Sequence, residues 1–410
     1  MTTSPHRSEP VDPSDTHRTL LETAHASFFG EFGSDAGEPG GTWWAPGRVN
    51  IIGEHTDYNG GYVLPIALPT GTVAAARRRD DDIVRLASEG KRVEVRLGEV
   101  SREAGLGWAS YAAGVGWAAR RDGLDVPGLD IAFAADVPRG AGLSSSASLS
   151  CSTASAWNDL AGWGLDGAGI ARLGRLAENE IAGAPTGTMD QLASVLCEPG
   201  HALRLDTLTN ETTQVPFDLD GAGLALLVVN SHAPHELVDG AYGERRHACE
   251  EAADLLGIAR GRLCAEIDGR DVDAVDARLA GLPDVPRRRA RHVITDSARV
   301  LAVDALLAGG VTREKAPDVG ALLTASHVSM RDDFEITVPA VDTLADALIA
   351  GGAYGARMTG GGFGGCVIAL VDADVVDDAV AAARRAARDG GFPEPEPFVA
   401  RASAGAHRLV

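Results

Sequence analysis

Four short stretches carry residues able to do chemistry. In the first, Pro138-Arg139-Gly140-Ala141-Gly142-Leu143-Ser144-Ser145-Ser146-Ala147-Ser148, a glycine turn runs into serines at the start of a helical pattern. The first turn of a helix leaves backbone N–H groups unpaired, and its dipole favours an anion. Glycines let that backbone approach phosphate oxygens, and hydroxyls can bond phosphate or a magnesium ion. The P-loop pattern G-x-x-x-x-G-K-[ST] is absent. An ordinary serine-capped helix after a tight turn is the competing reading.

The second stretch runs from Gly47 to Asp57. Arg48, Glu54, His55 and Asp57 crowd there between two apolar runs. Buried charge is costly unless paired or liganded, and clustered acceptors with a donor suit a polyhydroxyl ligand. A solvated hairpin tip is the alternative. The third stretch, Gly183 to Gln191, places Asp190 after a Pro/Gly turn, with Glu178 shortly before it. A carboxylate held rigidly near a substrate hydroxyl can act as a base, although Asp is also a routine cap. In the fourth, Gly360, Gly362 and Gly365 satisfy G-x-G-x-x-G. The dinucleotide reading needs a helix next, but Cys366-Val-Ile-Ala-Leu-Val reads as a strand. What remains is a glycine-rich loop packed against another backbone or a ligand. His232 and His235 lack a third zinc ligand nearby, H-E-x-x-H is not completed, and the G-x-S-x-G, H-R-D and D-F-G signatures are absent.

These stretches must be positioned by alternating helical and strand patterns, which point to α+β or α/β. Residues 129–137 and 223–230 read as strands, the latter buried. The small-residue segment after Leu143 is helical, with Ala147, Cys151, Ala154, Trp157 and Ala161 on one face. A second helix covers roughly 166–182, with Ile170, Leu173, Ala177 and Ile181 in register. Asn59-Gly60-Gly61 marks a turn. Residues 1–17 read as a flexible tail, and a soft boundary near Pro216 gives domains at 18–216 and 217–410. The basic run 284–291 reads as a solvated helix start.

Composition narrows the classes. The chain has 410 residues, 45% hydrophobic and 23% charged, so a large core is within reach. Its net charge of −21 opposes nucleic acid and anionic membranes as partners. Five dispersed cysteines without C-x-x-C spacing argue against a disulfide framework and for a reducing compartment. With no apolar leader and no long apolar run, a cytoplasmic location is expected.

Together, GRVNIIGEHTDY (47–58), VPRGAGLSSSAS (137–148), GAPTGTMDQ (183–191) and MTGGGFGGC (358–366) resemble the galactokinase family of the GHMP small-molecule kinases. The resemblance extends through segments 230–252, 288–294 and 326–342, and leaves out only about the first twenty residues. It implies an α+β, two-domain GHMP kinase fold with the active site in the cleft between the domains. It also implies transfer of the ATP γ-phosphoryl group to the C1 hydroxyl of α-D-galactose, with ATP as co-substrate and Mg2+ as cofactor. By the same resemblance, Asp190 matches the catalytic base and Arg48 the arginine beside it, which would steady its negative charge. Glu54, His55, Asp57, Gly187 and Tyr242 match sugar contacts. Gly140, Ala141, Gly142, Leu143, Ser144, Ser145 and Ser146 match the phosphate loop, with Ser146 and Glu178 near magnesium. The partners expected are small molecules only, with the chain a monomer. Kinases for N-acetylgalactosamine or L-arabinose share similar segments and stand as alternatives. A non-catalytic sugar sensor is disfavoured, because the serine-rich loop, Asp190 and Arg48 are intact.

Overall fold

The computed structural model describes residues 13–33, 37–138, 140–233 and 238–410. Strand β1 (Gly41–Asn50) carries two consecutive tryptophans, which pleating sends to opposite faces. Trp43 packs beneath the helices Ala109–Arg121 and Ser145–Ala161, and Trp44 beneath the helix Pro13–Phe32. Both indoles are about 1% exposed, so truncating either to alanine would cost roughly 3–5 kcal/mol. The sheet they anchor is therefore covered on both sides. It also contains β3 (Pro65–Arg78), β4 (Ile83–Ser88), β5 (Lys91–Arg96) and β6 (Leu129–Ala135). A short β2 (Tyr62–Val63) pairs instead with β7 (His201–Asp206), which continues to β8 (Thr212–Pro216).

The second sheet is antiparallel throughout. It consists of β9 (Leu224–Asn230), β10 (Gly355–Thr359), β11 (Cys366–Asp372) and β12 (Glu396–Ala400), in the order β10-β11-β9-β12. One of its faces, including Leu227, Val229, Val367 and Ala369, packs on helices of its own half. The other, with Leu226, Val228 and Ile368, packs on Val49, Ile51 and Ile66 of the first half. A continuous apolar core thus joins the two halves and fixes the cleft between them.

The expected α+β arrangement, with two halves around a cleft, is the one observed. Strand β8 ends at Pro216. A last strand, β13 (His407–Arg408), returns to pair with β1, giving the first sheet the order β13-β1-β3-β6-β4-β5. Of the tail expected over 1–17, residues 13–17 stand in the first helix, Pro13–Phe32, and residues 1–12 lie outside the described residues. The basic run is not uniformly solvated either. Arg287 and Arg288 pair with Asp284, but Arg289 is 3% exposed and pairs with Glu335. Among the described residues, no helix is long and apolar enough to cross a membrane.

Candidate active site

Arg48 owes its direction to a bulge. The β1–β3 register shifts between Pro46 and Arg48. Proline has no N–H to donate to a ladder, so a bulge is where it fits, and a bulge re-aims the next side chain. Arg48 then donates from Nε to Asp190 Oδ1 at 2.9 Å, with Nη2 2.7 Å from the same oxygen. Its Nη1 donates to the carbonyl of Gly142 at 2.7 Å. One guanidinium therefore ties the sugar-like signature, the phosphate-like loop and the candidate base together.

Asp190 lies in the first turn of the helix Met189–Leu196. Its other oxygen, Oδ2, accepts from Ser144 Oγ at 2.6 Å. A carboxylate offers about four acceptor positions, and three are taken, so the remaining one on Oδ2 is open to a substrate hydroxyl. Ser144 precedes the helix Ser145–Ala161, yet its side chain makes no capping bond and its φ is +59°. That removes the simple capped-helix reading, since the hydroxyl serves Asp190 instead. Gly140 and Gly142 supply the positive φ values of 70° and 74° that turn the loop.

Glu178 and Ser146 are brought together by an irregular helix. The regular helix Gly167–Leu176 widens into a π-helical turn, Ala177–Ala182. Such bulges redirect side chains and are frequent at functional sites. This one buries Glu178, which accepts from Ser146 Oγ at 2.8 Å and from the Gln191 amide. Burial, and then the Asp190 charge, push the Glu178 carboxyl up to about 7. A buried carboxylate and a hydroxyl at a helix start are hard oxygen donors, as magnesium requires, and a cation relieves the crowded negative charge. Among the described residues, no group of three His, Cys, Asp or Glu forms a metal cage. A metal here would take its other ligands from phosphate and water.

Glu54, His55, Asp57, Gly187 and Tyr242 line the same cavity of about 720 Å³ as Arg48, Asp190 and the loop residues Gly140, Gly142, Leu143, Ser144, Ser145 and Ser146. Ala141, also assigned to the loop, is buried behind it. Gly187 fits for a steric reason: a Cβ there would sit 1.9 Å from Asp57 Oδ2. Burial and the nearby Asp190 push the Asp57 carboxyl up to about 7. His55 spends both ring nitrogens inside the protein. Its Nε2 lies 3.1 Å from the Gly361 carbonyl, so that nitrogen donates. Its Nδ1, 2.6 Å from the Tyr58 hydroxyl, therefore accepts. Burial holds the ring neutral, with a pKa near 3. Both nitrogens being committed, His55 presents its ring, packed on Tyr242 and Phe334 at centroid distances of 4.9 and 4.8 Å. The fourth stretch packs on backbone, as one of its two readings had it: a Cβ on Gly360 would come within 2.8 Å of the Gly142 carbonyl.

Sequence reasoning missed an adjoining pocket of about 270 Å³. Trp108, Phe133, Val137 and Leu149 give it apolar walls, and Ser145 and Ser146 open it to the loop. It also missed Arg102, which lines the main cavity and donates to the Gly183 carbonyl. Nothing in the local pattern of Trp108 or Arg102 sets them apart, because strand and helix termini from three segments bring them to the site.

Three family models match the chain. They are the galactokinase galactose-binding signature over 26–78, the GHMP kinase N-terminal domain over 110–198 and the GHMP kinase C-terminal domain over 305–389. A mevalonate kinase structure shares the fold at a TM-score of 0.59 and 18% identity, covering 88% of this chain and 99% of that one. Fold and loop together thus define a GHMP small-molecule kinase. Similarity is much higher to the galactokinase of Streptomyces coelicolor, at 48% identity over 91% of this chain and 95% of that protein. The galactokinase of Haemophilus influenzae strain Rd is 42% identical over 82% and 86%. The structure of Lactococcus lactis galactokinase complexed with galactose superposes with a TM-score of 0.86 at 32% identity, covering 95% of this chain and all of that one. The chain belongs to the galactokinase family.

Proposed function

We infer that this enzyme transfers the γ-phosphoryl group of ATP to the C1 hydroxyl of α-D-galactose, giving galactose 1-phosphate and ADP. The observation that carries the reading is the position of Asp190. It lies in one cavity between the Asp57–Tyr242–His55 wall, which suits a sugar, and the Gly140–Ser146 loop, which suits phosphates. The adjoining apolar pocket at Trp108 takes the purine. Galactose binds with its C1 hydroxyl toward Asp190 Oδ2, the acceptor position left open by Arg48 and Ser144. As the O1–Pγ bond forms and the bond from Pγ to the bridging oxygen of ADP breaks, the O1 proton passes to Asp190. Phosphoryl transfer depends mainly on positioning and charge neutralisation, so holding O1 in line counts for as much as the proton transfer. Magnesium, when bound through Ser146 and Glu178, neutralises phosphate charge. Arg48 keeps Asp190 and the loop in register.

The readings as an N-acetylgalactosamine kinase, an arabinokinase or a sensor gain no support from the relatives. The enzyme's partners are its small-molecule substrates, and it acts as a monomer in the cytoplasm; its five cysteines are all free. The deciding test incubates the protein with MgATP and galactose, N-acetylgalactosamine or glucose in parallel and follows products by phosphorus and proton NMR. Galactose 1-phosphate from galactose alone is expected. Turnover only of another sugar would overturn the substrate, and Asp190→Asn with near-normal kcat would remove the base.

A further inference from the structure

Glu54 is held from the opposite domain. Its Oε2 receives Arg357 Nη2 at 3.0 Å and the Asn50 amide. Its Oε1 receives the Gly360 backbone N–H at 2.8 Å and Thr359 Oγ1 at 3.1 Å. Its backbone carbonyl accepts from His292 Nε2 at 3.1 Å. The one hydroxyl proton of Thr359 also faces the Asn50 carbonyl, at 3.0 Å, so three donors hold the carboxylate outright and Oε1 keeps acceptor capacity at the cavity it lines.

Arg357, on β10, is fully buried. Besides Glu54 it donates from Nη1 to the carbonyls of Ile51 at 2.9 Å and Asn50 at 3.3 Å, and its Nη2 rests 3.3 Å from Met330 Sδ. Met330 opens a second π-helical turn, Met330–Phe334, whose Phe334 packs on both His55 and His292. A planar fork of fixed geometry is what this job needs, since it must meet a carboxylate and two carbonyls at once. The next residue but one, Thr359, starts the glycine loop whose Gly361 carbonyl receives His55.

We propose that Arg357 is a positioning residue for the sugar pocket. It clamps Glu54 across the domain junction and, through Glu54 and the 359–361 loop, sets the place of His55 and Asp57. The proposal rests on the galactose-binding reading above. Its action falls on the sugar, not the nucleotide, because the pocket at Trp108 is lined by the first domain alone.

The test compares Arg357→Lys, Arg357→Met and the double variant Arg357→Met/Glu54→Gln. The double variant leaves no unpaired buried carboxylate and serves if the single one does not fold. Thermal unfolding checks folding, and KM is measured separately for galactose and for ATP, with calorimetric galactose binding alongside. Arg357→Met and the double variant are expected to raise the KM and Kd for galactose at least tenfold, with the KM for ATP changed less than twofold. Lysine, which keeps the charge but not the fork, should fall between. Unchanged galactose affinity in a folded variant, or equal rises in both KM values, would overturn the proposal. Wild-type protein that binds no galactose overturns the functional reading, and the proposal with it. Wild-type binding matched by Arg357→Met binding overturns the proposal alone.

Discussion

Gly187→Ala isolates the sugar contact from the phosphate chemistry. A Cβ at 187 would lie 1.9 Å from Asp57 Oδ2 and 2.3 Å from its Cγ, whereas real Cβ contacts essentially never fall under 3.0 Å. The carboxylate must therefore retreat by about an ångström. Asp57 cannot retreat freely, because it is anchored by the Met189 backbone N–H and shares the cavity with Asp190 and Tyr242. Misplacing a substrate-holding group by about 1 Å costs on the order of 10²-fold in rate. Gly187 does not itself need a positive φ, so the substitution adds crowding and no backbone strain at that residue. The expected result is a loss of about 10²-fold in kcat/KM for galactose, with the KM for ATP within twofold and a Tm close to wild type. ADP release coupled to NADH oxidation measures the kinetic constants, and thermal unfolding gives the Tm. A folded variant retaining kcat/KM within threefold of wild type would refute the steric argument, and with it Asp57 as a sugar-holding group.

Four further outcomes follow from the same geometry. Asp57, raised to about 7, accepts a sugar hydroxyl more strongly when ionised, so the KM for galactose should climb as pH falls below 7, by at most tenfold per unit; a flat KM between pH 6 and 8 would show that its charge is not used, and Asp57→Asn should abolish the slope. The linkage has the opposite sign for stability. Asp57 and Glu178, both raised, hold protons in the folded ligand-free protein that the unfolded chain has lost and so weaken it as pH rises from about 4 to 7, while His55 and His292, lowered by burial, act in the opposite sense; the Tm of Asp57→Asn relative to wild type should therefore rise with pH across that range. Glu178→Gln removes a disfavoured buried charge, so the ligand-free Tm should hold or rise above pH 7 while half-saturating magnesium rises at least about tenfold; a magnesium titration that overlays wild type would show that Glu178 does not hold the ion. Trp108→Ala should cost a base contact of about 1–3 kcal/mol, read as a rise of roughly 5–150-fold in the KM for ATP with galactose unaffected.

Much of this site is legible in the sequence, and the parts that are not share a cause. The strand-to-glycine-to-serine order at 129–148 announces its own geometry, because each step has a local physical reason. The helix Ser145–Ala161 buries Ala147, Cys151, Ala154 and Trp157 on the face the spacing indicates. The strand after the glycine loop, β11, is likewise plain from its run of apolar residues, and that run by itself excludes a dinucleotide site. What stays hidden depends on partners distant in the chain. The apolar period carries the second helix through residue 182, but the π-helical widening at Ala177, which turns Glu178 inward, leaves no mark in that period. Ser144 has the local marks of a cap, yet Asp190, forty-six positions away, claims its hydroxyl. Arg289 has the local marks of a solvated arginine, yet Glu335 meets it where it is buried. The return of β13 to β1 carries only two residues, too few for a period to register.

The same distinction explains why charged groups in the cleft tolerate burial. Arg48, Glu54, Glu178 and Arg357 are each 5% exposed or less, and isolated charges at such positions would cost several kcal/mol apiece. None is isolated. Arg48 meets Asp190 from another segment, and Arg357 meets Glu54 across the domain junction. Glu178 is held by hydrogen bonds and has no salt bridge among the described residues; burial and the Asp190 charge raise its pKa, and the Arg48 charge offsets only part of that. Asp57 on the sugar side and Glu178 on the phosphate side are thus the two carboxyls of the cleft that burial raises to about 7. A metal-bearing nucleotide brings positive charge to Glu178 and a free sugar does not. The cleft's assembly therefore makes the phosphate half responsive to magnesium, while the sugar half is pre-organised by contacts already in place. Galactose affinity should accordingly depend on Arg357 and Gly187 and be nearly blind to magnesium. A Kd for galactose that shifts more than about threefold on adding magnesium without nucleotide would contradict that division.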